Sequence, residues 1–328
     1  MKLFVTGGTG FIGRALIRRL ANQGHEVQVL TRRPEKLTVA IPPGIFPVEG
    51  DLSNVTALRK AMEGCHRVYH LAALAQAWAP RAQEFDRSNT EGTRNLLEAA
   101  RQAGVERVVH TSTVMVIGPT DGFVGNESTP LPTHYLSHYQ RTKAAAEMEV
   151  AESVQRGLSA VTVSPSVVYG PGIAGRRNSF NRFLHDFLTG RWVAIPGNGS
   201  QSLNCVYLDD VVTGHLLAME RGRIGERYIL GGENISVHDL VRLVNEAAGL
   251  NRQILRIPFW VARVAGLVEQ TRARLTGCTP LLTWDSVEIY RHSWTYSSDK
   301  AMLELGYQPR KLLEGLELTC RWLRGSRG

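Results

Sequence analysis

A glycine-rich segment directly behind the first apolar run constrains this chain of 328 residues more than any other feature. The run Leu3 to Thr6 reads as a strand, and the sequence turns helical near Phe11, within Gly7-Gly8-Thr9-Gly10-Phe11-Ile12-Gly13. In such a strand–loop–helix unit, Gly7 makes a tight turn, Gly10 admits phosphates close to the backbone, and Gly13 lets the helix pack on the strand. The free amides at the helix start favour anions. The segment therefore predicts a dinucleotide cradle, in preference to a glycine-rich turn without a ligand.

The first half of the chain alternates short apolar runs with helical stretches. This alternation predicts an α/β fold, a Rossmann-type doubly wound parallel sheet covered on both faces. We assign residues 1–170 to an NAD(P)-binding domain and residues 171–328 mainly to a smaller C-terminal substrate-binding lobe. One or more lobe elements are expected to return to the main sheet, with Asn204 to Tyr207 as the candidate strand. The predicted strands are Leu3 to Thr6, Val27 to Leu30, Val68 to Leu71, Arg107 to Thr111 and Ala160 to Ser164, and the helices begin near Phe11, Asn89 and Ser137.

Composition excludes several classes of protein. The hydrophobic fraction of 43% and charged fraction of 21% are ordinary for a folded enzyme. The net charge of +8 is spread over scattered arginine pairs, so an anionic cofactor is favoured as partner and nucleic acid is not. The chain opens directly into a strand without a secretory signal, and its cysteines form no CxxC pair, which predicts reduced thiols, a cytoplasmic location and no metal site. These cysteines are Cys65, Cys205, Cys278 and Cys320.

The longest apolar run of the second half, Ile254 to Val268, is interrupted by Arg256 and Arg263. It falls short of the roughly 20 residues that a membrane span requires, so no transmembrane segment is predicted. The pattern instead indicates an amphipathic helix. Packing against the protein is favoured, and weak contact with a membrane surface stays open because cations lie beside Phe259 and Trp260.

The end of the second predicted strand bears on the choice between NAD and NADP. An acidic residue at this position hydrogen-bonds the ribose 2′-hydroxyl of NAD, whereas arginine accommodates a 2′-phosphate. The sequence here is Thr31-Arg32-Arg33. NADP(H) is therefore favoured over NAD(H), with Arg32 as the phosphate ligand, and the alternative is that both arginines are solvated loop charges.

Several further motifs follow the glycine loop in a fixed order, and with them the chain resembles the extended short-chain dehydrogenase/reductase family over nearly its whole length. That family includes dihydroflavonol reductases, 3β-hydroxysteroid dehydrogenases and nucleotide-sugar epimerases. The motifs are Asp51-Leu52, His70-Leu71-Ala72-Ala73, Asn89-Thr90-Glu91-Gly92-Thr93, Thr111-Ser112-Thr113, Tyr139 to Lys143 and Tyr169-Gly170-Pro171-Gly172, and Arg221 to Asn234 looks most like hopanoid-associated epimerase-like and dihydroflavonol-reductase-like members.

The resemblance implies a set of cofactor contacts and a homodimer formed by the helices near Asn89 and Tyr139. Asp51 is expected at the adenine, Ala72 in the cofactor groove, and Pro165 at the nicotinamide. From residue type alone, Asp51 is equally a helix N-terminal acid and Ala72 a close-packing residue. The cofactor-binding residues predicted in full are Gly7, Gly10, Phe11, Ile12, Gly13, Arg32, Asp51, Leu52, Leu71, Ala72, Ala73, Tyr139, Lys143, Pro165, Val167 and Val168.

Tyr139 and Lys143 are the predicted catalytic pair. Their four-residue spacing on a helix places them on one face, where the ammonium is expected to lower the pKa of the phenol. Tyr139 would then exchange a proton with a carbonyl or alcohol oxygen while Lys143 also holds the nicotinamide ribose. The family resemblance puts Thr113 beside that oxygen, where its hydroxyl would polarise it, with Ser112 as a second donor.

Three other sets of residues resemble catalytic motifs. Tyr296 and Lys300 repeat the spacing but adjoin a helix cap without a dinucleotide loop, so we interpret them as structural. His134 and His138 lack metal-ligand spacing and are interpreted as loop histidines near the substrate entrance. Asp209-Asp210 stands at a strand-to-helix junction, where acids stabilise helix starts.

Two reactions and one non-enzymatic role compete at this stage. Reduction of a carbonyl, or oxidation of a secondary alcohol, on a small apolar substrate is favoured over nucleotide-sugar epimerisation or dehydration with retained NAD. The reason is that Leu203 stands where such epimerases usually carry a diphosphate-binding arginine. The arginines that could bind a diphosphate in its place are Arg176, Arg177, Arg191 and Arg291. Phe180, Phe183, Phe187, Trp192, Trp260 and Trp284 suit an apolar substrate but equally suit a core. A sensor that only binds NADP(H) is disfavoured because sensing needs no proton donor.

Overall fold

A computed structural model describes residues 1–37, 42–172, 178–280 and 282–325. The strands are β1 Lys2–Thr6, β2 Glu26–Thr31, β3 Ile45–Glu49, β4 Arg67–His70, β5 Arg107–Thr111, β6 Ala160–Pro165, β7 Val167–Tyr169, β8 Ala194–Pro196, β9 Ser202–Tyr207, β10 Arg227–Leu230, β11 Glu233–Ser236 and β12 Leu255–Ile257. The helices are α1 Phe11–Asn22, α2 Val55–Ala61, α3 Gln83–Phe85, α4 Gly92–Gln102, α5 His138–Gln155, α6 Ser179–Thr189, α7 Leu208–Arg221, α8 Val237–Ala248, α9 Phe259–Thr276, α10 Trp284–Tyr290, α11 Asp299–Leu305 and α12 Leu312–Gly325.

The main sheet is parallel throughout and has the strand order β3-β2-β1-β4-β5-β6-β10. The chain moves outward from β1 through β2 to β3 and then returns to place β4 on the other side of β1. This reversal opens a crevice at the carboxyl ends of β1 and β4, which is where open α/β sheets bind their ligands. The predicted doubly wound fold is confirmed.

Helices cover both faces of this sheet because its strands are apolar on both sides. On one face α1, α7 and α11 enclose a core that includes Leu16, Val29 and Tyr228. On the other face α2, α4 and α5 enclose a second core around Phe4, Leu96 and Val108. Burial on both faces fixes the carboxyl ends of the strands, and therefore the residues that follow them.

The strand that returns from the C-terminal half to the main sheet is β10, which pairs with β6. The prediction that Asn204 to Tyr207 returns is wrong, since that segment is β9 of a separate sheet with the order β11-β9-β7. The side chain of Asn204 explains part of this placement, because its amide is bonded to the carbonyls of Gly232 and Tyr296 rather than to the main sheet. The assignment of residues 171–328 to a substrate lobe stays a prediction.

A third core holds the C-terminal lobe together. It contains Phe180, Phe187 and Leu316, with Phe183 packed at its edge. The aromatic run on α6 therefore forms core, which was the alternative to a substrate-facing role. Trp192 and Trp260, in contrast, are exposed.

The segment Ile254 to Val268 differs from the single amphipathic helix predicted for it. It contains β12, which pairs with β8, and then the first part of α9. Several apolar side chains of α9 are exposed rather than packed, so the favoured packing interpretation is wrong for them. Among the residues described, no helix combines the length and apolar character that crossing a membrane would take.

Candidate active site

The glycine loop lies at the crevice between β1 and β4. Gly7 has a φ of +73°, and a Cβ there would lie 2.6 Å from the backbone nitrogen of Ala72. A Cβ on Gly13 would lie 2.2 Å from the carbonyl oxygen of Gly7. Helix α1 then begins at Phe11 with no side-chain cap and no acid in its first turn. Its first amides are therefore not engaged by a local acceptor side chain, and the helix start suits a diphosphate.

Two buried threonines and His70 hold the crevice together. Thr93 donates its hydroxyl hydrogen to the carbonyl of Asn89 (2.6 Å), so its oxygen accepts from His70 Nε2 (2.9 Å). His70 Nδ1 then accepts from the hydroxyl of Thr6 (2.7 Å), whose oxygen in turn accepts from the backbone amide of Ala72 (3.2 Å). Burial lowers the pKa of His70 to about 3, and the charge of Lys143 acts in the same direction. The neutral imidazole thus fixes the ends of β1 and β4 against each other.

Tyr139 occupies the first turn of α5, and its hydroxyl shares a hydrogen bond with the side chain of Thr113. Thr113 lies two residues after the end of β5, and its hydroxyl also accepts from the amide of Met115. Burial raises the pKa of Tyr139 to about 12, and the hydrogen bond from Thr113 only partly opposes this. The phenol is therefore neutral at physiological pH and holds a proton that it can donate. The sequence predicted a lowered pKa, but desolvation of the phenol raises the pKa and outweighs the hydrogen bond from Thr113.

Lys143 is buried one turn further along α5. Its Nζ donates to the carbonyl of Thr111 (2.8 Å) and to Nε2 of His110 (3.3 Å). Burial lowers the pKa of Lys143 to about 8, while the charge of Glu147 acts in the opposite direction. Burial is the main reason that the pKa of His110 is well below its usual value, and the charge of Lys143 lowers it further. His110 is therefore a neutral acceptor that helps to hold the ammonium group at the end of β5.

The protein side of the site fits a bound nicotinamide dinucleotide. The hydroxyl of Ser112 is buried at the end of β5 and has no hydrogen-bond partner among the described residues. The hydroxyl of Ser164, on the adjacent strand β6, is likewise buried and has no hydrogen-bond partner among the described residues. Because unpaired buried hydroxyls cost free energy, a polar ligand is the natural partner for one or both of them. The crevice thus has the glycine loop, suited to phosphates, at one place and the unpaired hydroxyls of Ser112 and Ser164, suited to a polar ligand group, at another.

Arg32 is exposed at the end of β2, next to the loop that carries Asp51 after β3. Hydrogen bonds from the side chain and the backbone of Ser53 lower the pKa of Asp51, and the charge of Arg32 adds to this effect. The N-cap of α2 is Asn54, and its first turn contains no acid. Asp51 is therefore not the helix N-terminal acid of the alternative interpretation, and it stays available near Arg32.

The remaining predicted cofactor residues line the same edge of the sheet. Leu71, Ala72 and Ala73 follow β4, and Leu52 follows β3 and packs beside Gly92. The ring of Phe11 lies against Gly172, whereas Ile12 is turned toward the core beneath α1. Pro165 ends β6, and Val167 and Val168 lie in β7. The structure thus brings the predicted residues to one side of the molecule, and their contacts with a cofactor stay predictions.

Asn89 is a positioning residue whose contacts the sequence did not reveal. Its carboxamide oxygen accepts from the backbone of Leu74 (2.7 Å), and its nitrogen donates to the hydroxyl of Thr142 (3.0 Å). It lies in a π-helical turn, Asp86–Glu91, that joins α3 to α4, so the helix predicted to begin near Asn89 begins earlier. Asn89 therefore ties the loop after β4 to the helix that carries Tyr139.

The competing pairs lie apart from this site. The hydroxyl of Tyr296 donates to the carbonyl of Gly118 (2.6 Å), while Lys300 pairs with Glu226 (2.6 Å), so the two side chains share no site. Asp209 and Asp210 occupy the first turn of α7, where Arg310 holds Asp210 through two nitrogens. His138 begins α5 and stacks on Phe85, and His134 bonds its neighbour Thr133.

A proton-donating tyrosine beside a dinucleotide crevice is the arrangement of NAD(P)-dependent enzymes of the short-chain dehydrogenase/reductase class. Residues 3–231 match the NAD dependent epimerase/dehydratase family. The chain belongs to this family, within the extended short-chain dehydrogenase/reductases. It is therefore an NAD(P)-dependent enzyme of oxidoreductase type.

Relatives of the chain include enzymes with different reactions. A putative dihydroflavonol 4-reductase from Synechocystis sp. is 35% identical, over 98% of this chain and 94% of the relative. A 4-hydroxy-2-methyl-3-oxo-4-farnesyl-3,4-dihydroquinoline-1-oxide ketoreductase from Stigmatella aurantiaca is 34% identical, over 94% and 92%. The solved structure of a dTDP-glucose 4,6-dehydratase from Streptomyces venezuelae with NAD and TYD bound is 27% identical, covers 100% of this chain and 98% of the other, and has a TM-score of 0.81.

Proposed function

We propose that the protein is an NADP(H)-dependent oxidoreductase that reduces a carbonyl group, or oxidises the corresponding secondary alcohol, on a small, largely apolar substrate. The observation that carries the proposal is the hydrogen-bonded pair of Tyr139 and Thr113 at the carboxyl end of the sheet. Two neighbouring hydroxyls, one of them a neutral phenol, can both donate hydrogen bonds to a single substrate oxygen. Lys143 lies buried one turn from the phenol.

A nicotinamide cofactor supplies the hydride for such a reduction. The part of the protein is to bind the carbonyl oxygen between Thr113 and Tyr139 and to deliver a proton to that oxygen from the phenol. Because the pKa of Tyr139 is raised to about 12, the phenol holds this proton at neutral pH. Lys143 would hold the nicotinamide ribose, and its ammonium would stabilise the phenolate left after proton transfer.

An apolar substrate is favoured over a nucleotide sugar by the surroundings of β9. Leu203, at the position where a diphosphate-binding arginine is expected in the epimerases, packs at the edge of the lobe core. Of the four arginines considered as replacements for it, Arg191 is paired with Asp186 and Arg291 with Glu288. Arg176 and Arg177 lie outside the described residues. The ketoreductase and dihydroflavonol reductase names of two relatives agree with this choice.

The reaction is tested by supplying NADPH with a panel of apolar ketones that includes a dihydroflavonol, a 3-ketosteroid and a prenylated ketone. We expect at least one of them to be reduced, with one NADPH consumed per alcohol formed, and UDP-glucose to leave NADPH unchanged. Product analysis by mass spectrometry measures the alcohol. A parallel assay supplies UDP-glucose with NAD⁺, and its conversion to another sugar nucleotide without net formation of NADH would show that the protein is an epimerase or dehydratase instead.

The preference for NADP(H) is proposed to depend on Arg32. Replacing Arg32 by glutamate exchanges an exposed cation beside the expected 2′-phosphate for an anion. We expect NADPH to bind at least about 10-fold more weakly, with NADH affected far less, because only NADPH carries that phosphate. Titration of both nucleotides by intrinsic fluorescence measures the two dissociation constants. Arg33→Glu is the control for the change of charge alone, since it makes the same replacement at the neighbouring exposed position. Equal weakening of NADH and NADPH binding in Arg32→Glu contradicts the assignment.

We further propose a cytoplasmic homodimer. All four cysteines are free, as a reducing compartment would leave them. Helices α4 and α5 pack side by side, and Met148 of α5 has an exposed side chain on their outer surface. Such a surface suits the pairing of two copies through these helices.

A further inference from the structure

Helix α9 has an apolar stripe that faces away from the protein. Trp260 is 69% exposed and Leu275 is 83% exposed, and the apolar residues between them on this face are each more than half exposed. At 100° per residue these positions fall within a sector of roughly 100°, so they form one continuous stripe. Its members are Trp260, Val264, Leu267, Val268, Thr271 and Leu275, and the Thr271 hydroxyl is engaged by the carbonyl of Leu267 (2.9 Å).

The opposite side of α9 fixes this orientation. Ala262, Gly266 and Ala273 are buried there, and a Cβ on Gly266 would lie 3.1 Å from the carbonyl carbon of Thr283. Arg263 on the same side pairs with Glu288 of α10 (2.6 Å). Rotating the helix to bury its apolar stripe would lose this close approach and the ion pair. The exposure of the stripe is therefore built into the packing of α9.

The charges around the stripe indicate what it contacts. Helix α9 contains three arginines and one acid, Glu269, which is paired with Arg272 (2.8 Å). Arg274 lies at one border of the stripe, and Arg256 lies three residues before the helix. Both are exposed, and within the described parts of the chain neither forms an ion pair. An apolar stripe bordered by uncompensated cations, in a chain of net charge +8, is complementary to an anionic lipid surface.

The size of the stripe argues against a second copy of the chain as its occupant. From Trp260 to Leu275 it is about 22 Å long and about 10 Å wide, which corresponds to about 220 Å². A stable protein interface buries roughly 800 Å² on each partner. A helix lying in a membrane surface needs no such area, because it inserts only its apolar side chains to a depth of roughly 5–10 Å.

We propose that α9 docks the protein reversibly on anionic membrane surfaces, with its apolar stripe among the acyl chains and its arginines at the lipid phosphates. Helix α9 belongs to the C-terminal half, to which the substrate is assigned. Docking would therefore bring the substrate region to the layer where apolar ketones concentrate, a consequence that rests on the proposed function. The docking itself is independent of catalysis.

Co-flotation of the full chain with vesicles tests the proposal. We expect binding to vesicles of phosphatidylglycerol and phosphatidylcholine, and binding at least about 10-fold weaker to phosphatidylcholine alone, since the cations contribute only on the anionic surface. The double variant Trp260→Glu/Leu267→Glu should bind the anionic vesicles at least about 10-fold more weakly. Arg274→Gln, which removes one cation, should weaken this binding about fivefold.

Leu303→Glu is the matched control, because Leu303 is 87% exposed but lies on α11, away from the stripe. It should bind as the unmodified chain does. Circular dichroism and NADPH affinity should stay unchanged in all variants, which separates docking from folding and from the proposed reaction. Absence of binding to the anionic vesicles, or equal binding by the double variant, overturns the proposal. So does a dimer in sedimentation that the double variant dissociates, since the stripe would then be an interface between copies.

Discussion

Tyr139→Phe is expected to lower kcat for ketone reduction by a factor of about 10²–10⁴, the contribution typical of a positioned general acid. The substitution removes the hydroxyl that bonds Thr113 and keeps the ring. The affinity for NADPH should stay within about threefold, because the glycine loop and Arg32 are untouched. Single-turnover reduction of whichever ketone the unmodified protein accepts measures the chemical step, and fluorescence titration measures NADPH binding.

Tyr296→Phe is the matched control for this experiment. Tyr296 begins the second Tyr–Lys spacing, is buried, and loses an equivalent hydroxyl on substitution. Loss of its hydrogen bond to the carbonyl of Gly118 should lower stability by about 1 kcal/mol and leave kcat unchanged. Unchanged turnover in Tyr139→Phe, or an equal loss in both variants, contradicts the assignment of Tyr139 as proton donor.

The doubly wound sheet was predictable because its signals are local. Apolar runs with helical stretches between them dictate a parallel sheet, and the observed β5, Arg107–Thr111, has the predicted bounds. The choice of returning strand was not predictable. Segments Asn204 to Tyr207 and Arg227–Leu230 are both short and apolar, and only partners far away in sequence separate them. Tyr228 is buried in the core beneath α7 and α11, whereas Asn204 bonds Gly232 and Tyr296 in the lobe.

The candidate site likewise contains residues that the sequence identifies and residues that only the structure reveals. Gly7, Gly13, Tyr139 and Lys143 carry motif spacings and can be singled out from the sequence. His110 cannot, because its role depends on Lys143, 33 positions later, placing Nζ at its ring. The pKa of a side chain also depends on groups that are distant in the sequence. The Tyr–Lys spacing suggested a lowered phenol pKa, but the depth of burial, which no spacing encodes, raises the pKa of Tyr139 to about 12.

Gly13→Ala tests the glycine loop, which is the predicted phosphate-binding part of the site. The new Cβ would meet the carbonyl oxygen of Gly7 at 2.2 Å and the Cα of Gly8 at 2.9 Å, and these are backbone atoms that no rotamer change can move aside. Helix α1 must shift away from the loop, so its amides no longer converge on a diphosphate. We expect NADPH to bind at least about 100-fold more weakly, which corresponds to about 2.7 kcal/mol, and the protein to lose stability as well.

Gly24→Ala separates these two effects. Gly24 follows the other end of α1 and has a φ of +80°, with no neighbouring atom within 4 Å of a Cβ placed there. A side chain at that position strains the backbone and should cost about 1 kcal/mol of stability, with NADPH affinity unchanged. Calorimetry gives the affinities and thermal unfolding gives the stabilities. If Gly13→Ala binds NADPH as tightly as Gly24→Ala does, the phosphates do not sit on the start of α1. The predicted cofactor contacts of Gly7, Gly10 and Gly13 would then be wrong together, since all three depend on that one placement.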